Sequence, residues 1–296
     1  MEHSGTATVA ERPEALLLQV DGREVASYVW RSRLPASTAP RPFLHPVRTL
    51  AGTLVTDARP HSHTHQLGIS IAAPDIGGRN FWGGRTFVPG HGPAWLDDHG
   101  AQRHRRWLRH TDSALAHTLN WVDRDGAALL NERRSIACGP LTGDAWTLSV
   151  RTRLANATEG PLQIRSPAAL GRVGAGYGGF FWRGPSRSER VRVLSPAGAG
   201  ERAVNGTTAE WVAVSGGAEG REWTVVFTAA DETTAADRWF VRSRDYLGVG
   251  SSLTWDRPLV LEPGGAVARH ILTVVADGTL SDDAAAALAA AARSAP

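Results

Sequence analysis

The chain has 296 residues, 42% of them hydrophobic and 21% charged, with a formal net charge of +3. It is long and apolar enough for one large globular domain. There is no lysine, which excludes Schiff-base chemistry and a phosphate-loop lysine, and the single cysteine, Cys138, excludes a disulfide framework and any multi-cysteine zinc or iron–sulfur site.

The sequence pI of about 9.7 says little about nucleic acid. With no lysine, one cysteine and three tyrosines, almost nothing titrates between neutrality and the arginine range. Cys138 reads as a small core residue. The N-terminal stretch lacks a basic region followed by an apolar one, and no apolar run approaches ~20 residues. The expectation is a cytoplasmic protein with neither signal peptide nor membrane span.

Residues 1–13 read as a disordered tail. Residues 16–20, the pair Asp21-Gly22 and residues 23–30 read as strand, tight turn and strand. Phe43-Leu44-His45-Pro46-Val47 starts a short strand, and Ala51-Gly52 reads as a turn. The stretch 59–68 places His61, His63 and His65 at alternate positions. In an extended backbone all three would project from one face. The apolar run 67–73 behind them predicts a buried strand. Residues 75–100 are rich in Gly, Pro and aromatics, and an irregular loop of that length points to function. Trp82 and Trp95 are placed there to floor a pocket.

Strand signals then become regular. Residues 114–121 and 127–137, joined by Asp125-Gly126, read as a hairpin, and the alternation from Trp146 to Leu154 reads as a half-buried strand. Further strands are predicted at 162–165, 190–194, 209–214, 222–229, 238–241 and 267–275. The run 174–183 interrupts the series. Its glycines suit positive φ or close backbone approach, and its aromatics suit a packed edge. Ser281 can cap a helix over Ala284–Ala292. The fold class expected is all-β: a large antiparallel two-sheet β-sandwich over 14–278, with a galactose-mutarotase-like super-sandwich as one form of it. An Ala-rich helix or tail follows at 279–296.

Nine of the eleven histidines fall between His45 and His117. Histidine serves metal ligation and proton transfer near neutral pH. For His61, His63 and His65 three readings stand: metal ligands, metal-free acid–base or hydrogen-bonding groups, and structural residues. The metal reading needs a further ligand from Asp57, His91, Asp97, Asp98 or His99. His104, His110 and His117 lie among arginines around 103–109. That segment is a solvated face, or a site for phosphate or an acidic substrate. Only Trp107 interleaves there, which argues against single-stranded nucleic acid. Tyr177, Trp182 and Arg183 can stack on a sugar ring and bond its hydroxyls, or pack the core. Glu132 is a buried carboxylate or one half of a surface pair. The spacing Gly174-x-Gly176-x-x-Gly179 lacks the helix and βαβ unit of a dinucleotide site. There is no serine nucleophile elbow and no HExxH.

Arg41-Pro42-Phe43-Leu44-His45-Pro46-Val47, the histidine stretch with Leu67-Gly68, Asn80-Phe81-Trp82-Gly83, Glu132-Arg133-Arg134 and Trp239-Phe240-Val241-Arg242 with Tyr246 together resemble the PmoA-like family, the DUF6807 group. The likeness runs from about residue 13 to 278. It implies an all-β fold and a carbohydrate-related role. The family's methane oxygenase label sits poorly with a chain that has no membrane span. His63 and His65 are the strongest carry-overs, and His45, His99, Glu132, Arg242 and Tyr246 match other recurrent positions. Ser62 and Gln66 stand where the resemblance implies acidic or histidine residues, which weakens a shared metal site.

These readings converge on a carbohydrate-processing enzyme that acts on a sugar or modified glycoside by acid–base chemistry, of epimerase, hydrolase or lyase type. His63 and His65 would be catalytic, supported by His45, His99 and Glu132. Trp82 and Trp182 would stack, Arg242 would bind substrate oxygen, and Tyr177, Arg183 and Tyr246 would complete the substrate-binding set. The alternatives are a non-catalytic sugar-binding or scaffold protein, and a metal-dependent two-histidine-one-carboxylate oxygenase with a divalent metal on His61, His63 or His65. No cofactor is assigned, and the expected partner is a sugar-like small molecule rather than nucleic acid or membrane. A carboxylate converging on the histidines would separate catalysis from binding alone.

Overall fold

The structure is a computed structural model that describes residues 14–218 and 220–295. The tail predicted at 1–13 lies outside the described residues. Two large antiparallel sheets dominate. In the first, seven strands lie side by side in the order Glu14–Val20, Arg23–Arg31, Phe43–Val47, Ile69–Ala72, Gly179–Arg183, Gly248–Ser252 and Trp239–Arg242. In the second, nine strands run in the order Gly198–Ala199, Glu189–Ser195, Trp211–Ala218, Arg221–Ala229, Ala266–Asp277, Ala145–Asn156, Ala128–Pro140, Ala114–Val122 and Ala101–His110. The protein is all-β, as its alternating patterns predict, with a few short helices and one longer helix at the C-terminal end.

Turn chemistry sets much of the register. Asp21 and Gly22 both have positive φ, 49° and 75°, the two-residue hairpin turn whose twist matches the flanking strands. The sheets pack face to face through aromatics. Trp182 of the first sheet meets Phe227 and Trp223 of the second, with ring centroids 5.4 and 6.1 Å apart. Phe180 meets Phe227 at 6.1 Å.

The 179–183 segment is therefore not a sheet edge. It lies mid-sheet between Ile69–Ala72 and Gly248–Ser252, and all of it is buried. Its Gly/Ser-rich partner, 248–252, has no strand signature in the sequence. It works because small residues make room: a Cβ on Gly248 would lie 3.0 Å from the Phe181 ring.

A polar network runs through this apolar layer. Glu132 and Arg134 point inward from one strand and pair at 2.7 Å. Trp121 Nε1 and Thr152 Oγ1 donate the remaining bonds to the Glu132 carboxylate, each at 2.7 Å. Arg134 also donates to Gln102 Oε1 at 2.8 Å and to Tyr28 Oη at 3.3 Å. Cys138 is buried, and burial pushes its thiol up to about 12, which suits packing rather than nucleophilic attack.

The C-terminal helix, Asp282–Ser294, is capped by Ser281, whose hydroxyl accepts from Ala284 N at 3.3 Å. Ala285, Ala289 and Ala292 repeat at helical spacing and are buried in one cluster with Trp211, Val226, Leu272 and Val274 on the outer face of the nine-stranded sheet.

Glu132→Ala leaves the Arg134 guanidinium buried without its counter-charge. The expected cost is about 3–5 kcal/mol of unfolding free energy, measured by urea denaturation. A cost below about 1 kcal/mol would mean that the pair contributes no more than a surface ion pair.

Candidate functional site

The histidine stretch is not extended. It folds as two successive turns, in which His63 N donates to Pro60 O and Gln66 N donates to His63 O, both at 2.9 Å. Arg59, at φ 59°, closes the loop by donating its N–H to Gln66 O at 2.8 Å. Alternation therefore does not place the three imidazoles on one face. His61 is exposed, while His63 and His65 are half-buried with ring centroids 5.9 Å apart. Pro60 and the short polar residues favour a turn over a ladder.

Arg41 holds this loop in place. Its buried guanidinium donates to His65 O at 2.9 Å, Trp82 O at 3.1 Å, Thr38 O at 3.1 Å, Ala39 O at 3.2 Å and Ser70 Oγ at 3.2 Å. Asn80 shapes the facing turn, accepting at Oδ1 from Trp82 N at 2.9 Å and Gly83 N at 2.8 Å. Gly83 and Gly84 have φ of 92° and 72°. A Cβ on Gly84 would lie 2.7 Å from His65 Nδ1, so only glycine lets the imidazole sit against this turn.

Between these elements lies a cavity of about 710 Å³, over the outer face of the seven-stranded sheet. The loop contributes His61, His63, His65 and Gln66; the turn contributes Trp82 and Arg85; and Trp95, Arg172, Tyr177, Phe240, Arg242, Asp245 and Tyr246 complete the wall. The aromatics form a continuous surface. Trp82 lies 4.6 Å from Tyr177, Tyr177 5.4 Å from Phe240, and Tyr246 5.0 Å from His63, between ring centroids.

The structure thus brings together His63, His65, Trp82, Tyr177, Arg242 and Tyr246, with His61 at the rim. Five other candidates do not line this cavity. Glu132 is held in the inter-sheet network, with its carboxylate fully bonded. Trp182 faces the opposite side of its strand, into the sandwich, where Nε1 donates to Val55 O at 2.9 Å. His45 is turned to Thr56, with Nδ1 2.9 Å from Oγ1. His99 lies behind the glycine turn, with Nε2 2.7 Å from Gly84 O. Arg183 lies behind Tyr246, its guanidinium carbon 5.3 Å from the ring centroid, and donates to Gly184 O and Leu247 O.

Sequence reasoning missed Asp245, Arg85, Arg172 and Phe240 as site residues, and treated Gln66 only as a departure from pattern. Asp245 sits one residue before Tyr246, so the motif carrying Arg242 and Tyr246 was its only signal. Gln66 is buried, and its Oε1 has no hydrogen-bond partner among the described residues. The residue lines the cavity, and its side chain bonds to Tyr246.

Burial dominates the electrostatics. It drives His65 down to about 3, helped by Arg41, His63 and His99. His63 is lowered by burial and by Arg183, while Asp245 acts in the opposite direction. Burial raises Tyr246 to about 12 and also raises Tyr177. At neutral pH the His63 and His65 imidazoles are neutral and the Tyr177 and Tyr246 phenols stay protonated. Arg242 spends much of its capacity on Gly174 O at 2.8 Å, Val241 O at 2.8 Å and Glu201 at 3.7 Å. Among the described residues, no group of three His, Cys, Asp or Glu side chains is arranged to hold a metal ion. The two-histidine-one-carboxylate reading lacks its ligand set in this arrangement.

The folded-state pKa of His65 lies below its unfolded value of about 6.5. Its contribution to stability is therefore complete above about pH 6.5 and is lost as pH falls towards about 3. His65→Gln should flatten the stability profile over that window by up to ~1.4 kcal/mol per pH unit relative to wild type, read from urea denaturation at several pH values. Parallel profiles would show that His65 does not titrate with unfolding.

No curated protein matches the sequence. Among solved structures, the chain is similar to an Escherichia coli K12 protein assigned as an aldose 1-epimerase, at 12% identity and a TM-score of 0.42, over 90% of this chain and 99% of that one. It is also similar to a polysaccharide lyase at 12% identity and a TM-score of 0.36, over 90% of this chain and 34% of that one. A third likeness is to the heparan sulfate lyase HepC from Pedobacter heparinus, at 12% identity and a TM-score of 0.28, over 61% of this chain and 22% of that one. Identities this low say nothing about a shared active site. At the level of sequence family the match is broad: the model of DUF6807, a family of unknown function, covers residues 15–290, and the chain belongs to that family.

Proposed function

We propose that this protein is an enzyme that acts on a sugar or sugar-derived substrate by metal-free acid–base chemistry in the histidine cavity. The observation that carries this reading is the convergence of His63 with a carboxylate, Asp245, in a cavity walled by Trp82, Tyr177 and Tyr246. A binding module needs the aromatics and hydroxyl partners. Proton transfer also needs an imidazole with a carboxylate near enough to act on it, and both stand on the wall of this pocket.

In this reading His63 is the proton-transfer group. Its Nδ1 lies 3.0 Å from Ser62 Oγ. With Nδ1–H donating there, Nε2 keeps a lone pair and takes a proton from a substrate O–H or C–H. Asp245 then stabilises the imidazolium that forms. His65, neutral to about pH 3, is a hydrogen-bonding rather than a protonated acid group. Tyr246 and Tyr177 keep their hydroxyl protons and donate to ring oxygens. Trp82 stacks on the sugar face. The surplus of guanidinium over carboxylate on the wall, Arg85, Arg172 and Arg242 against Asp245, favours an oxygen-rich or acidic sugar.

The test is a proton NMR screen of the purified protein with neutral glycosides, uronic acids and aldonic acids, followed for anomer exchange, cleavage or elimination. Turnover of at least one class is expected, with His63→Ala and Asp245→Asn each lowering kcat by about 10²–10⁴-fold. Substrate-induced change in tryptophan fluorescence without any turnover would replace catalysis with binding alone. Because burial and Arg183 lower the His63 pKa, the acid limb of kcat/KM should lie below the ordinary histidine value of about 6.5. A limb above that value would remove His63 as the base.

A further inference from the structure

The outer face of the nine-stranded sheet is divided. One half is covered by the C-terminal helix. The other, built from Ala101–His110, Ala114–Val122, Ala128–Pro140 and Ala145–Asn156, is covered by no element among the described residues. Strand register places its outward side chains in three cross-strand rows. The middle row reads Arg106, Thr118, Arg133, Arg153. The rows beside it begin with Arg103, running through Asn120 and Asn131, and with Arg109, running through Ala116 and Ser135 to Arg151.

These six arginines are all exposed, and no Asp or Glu occupies any position in the three rows. The chain as a whole has 29 acidic residues against 32 basic ones, so this face is a local segregation of charge and not a reflection of composition. Arg133 and Arg153 lie directly opposite each other on neighbouring strands, a like-charge pairing that costs stability. No ion pair to any of the six occurs among the described residues. A shallow groove of about 460 Å³ runs between Arg106, Arg133 and Arg153, with Thr118, Asn120 and Asn131 along it.

We infer that this face binds an acidic polysaccharide, an extended chain that carries carboxylates or sulfates among hydroxyls. The guanidinium forks match carboxylate and sulfate oxygens two at a time. The amides and hydroxyls between them match sugar hydroxyls. From Arg106 to Arg153 is three strand spacings, roughly 15 Å, so one row spans several charged units. Single-stranded nucleic acid would want exposed aromatics between the charges. The one tryptophan of the edge strand, Trp107, is instead packed at 4.6 Å from His104 and 5.0 Å from His117. No helix is presented here to a duplex groove. The face lies across the sandwich from the histidine cavity, so polymer binding and turnover are separable.

The experiment is affinity electrophoresis of the full chain in gels containing polygalacturonate, dextran sulfate or uncharged dextran, with a single-stranded oligonucleotide as competitor. Retardation by both acidic polymers and not by dextran is expected. Arg133→Ser with Arg153→Ser should weaken it at least about tenfold, without lowering the thermal midpoint, because a like-charge contact is removed. The control Arg23→Ser with Arg257→Ser removes the same charge from exposed positions elsewhere and should bind as wild type does. Absence of retardation, equal weakening by both double variants, or displacement by the oligonucleotide at lower charge concentration than polygalacturonate would each overturn the proposal.

Discussion

The candidate site depends on a buried arginine that has no carboxylate partner among the described residues. Arg41 is 1% exposed, and burial with the nearby Arg134 lowers its pKa to about 9. A lone cation in the interior is costly unless each of its nitrogens finds an acceptor. Here four backbone carbonyls and a serine hydroxyl accept from them. Those acceptors belong to the segment before the third strand, to the histidine loop, to the tryptophan turn and to the fourth strand. One side chain therefore fixes the distance between His65 and Trp82, the two walls of the cavity. Arginine suits this role through its fork of five donors, which a single ammonium could not supply.

A second polar assembly runs through the sandwich. Glu132 and Arg134 lead to Tyr28, whose hydroxyl lies 2.8 Å from His117 Nε2; His117 Nδ1 in turn lies 2.9 Å from His104 Nδ1. Burial pushes Tyr28 up to about 12 and His117 down to about 2, so both stay neutral. Every member finds a partner, which is the condition for a buried network to define one packing arrangement. This explains why the sequence pairs so many histidines and arginines in one quarter of the chain. Only part of the histidine enrichment belongs to the cavity. His99, His104 and His117 belong to the scaffold, and His99 still reaches the site by bracing the Gly84 turn.

The two outer surfaces of the sandwich then take different chemistry. Over the seven-stranded sheet, loops and turns form a cavity in which burial shifts His63, His65, Tyr177 and Tyr246 towards their neutral forms. Over the nine-stranded sheet, the helix covers an apolar half and the remainder stays flat and cationic. An enclosed site can select one small group, whereas an open row of charges can only engage something extended.

The sequence by itself determined the β architecture, because alternation and turn residues report a half-buried strand locally: the hairpin at Asp21-Gly22, the strand pair around Asp125-Gly126 and the strand 162–165 are legible from a few residues each. It also pointed to the aromatic and arginine wall, since Trp82, Tyr177, Arg242 and Tyr246 stand out by type beside glycine or within a motif. Three matters were decided only by tertiary structure. The histidine turns are set against the tryptophan turn because Arg41, remote from both in sequence, holds the His65 and Trp82 carbonyls. Glu132 and Trp182 were drawn into the sandwich because inward positions on a strand are set by which sheet faces it, and that partner is not local. Asp245 entered the cavity because the strand before it pairs with a glycine- and serine-rich strand that shows no signal of its own. In each case a non-local contact outweighs a local pattern, since burial and hydrogen bonding are satisfied only once the whole chain is folded.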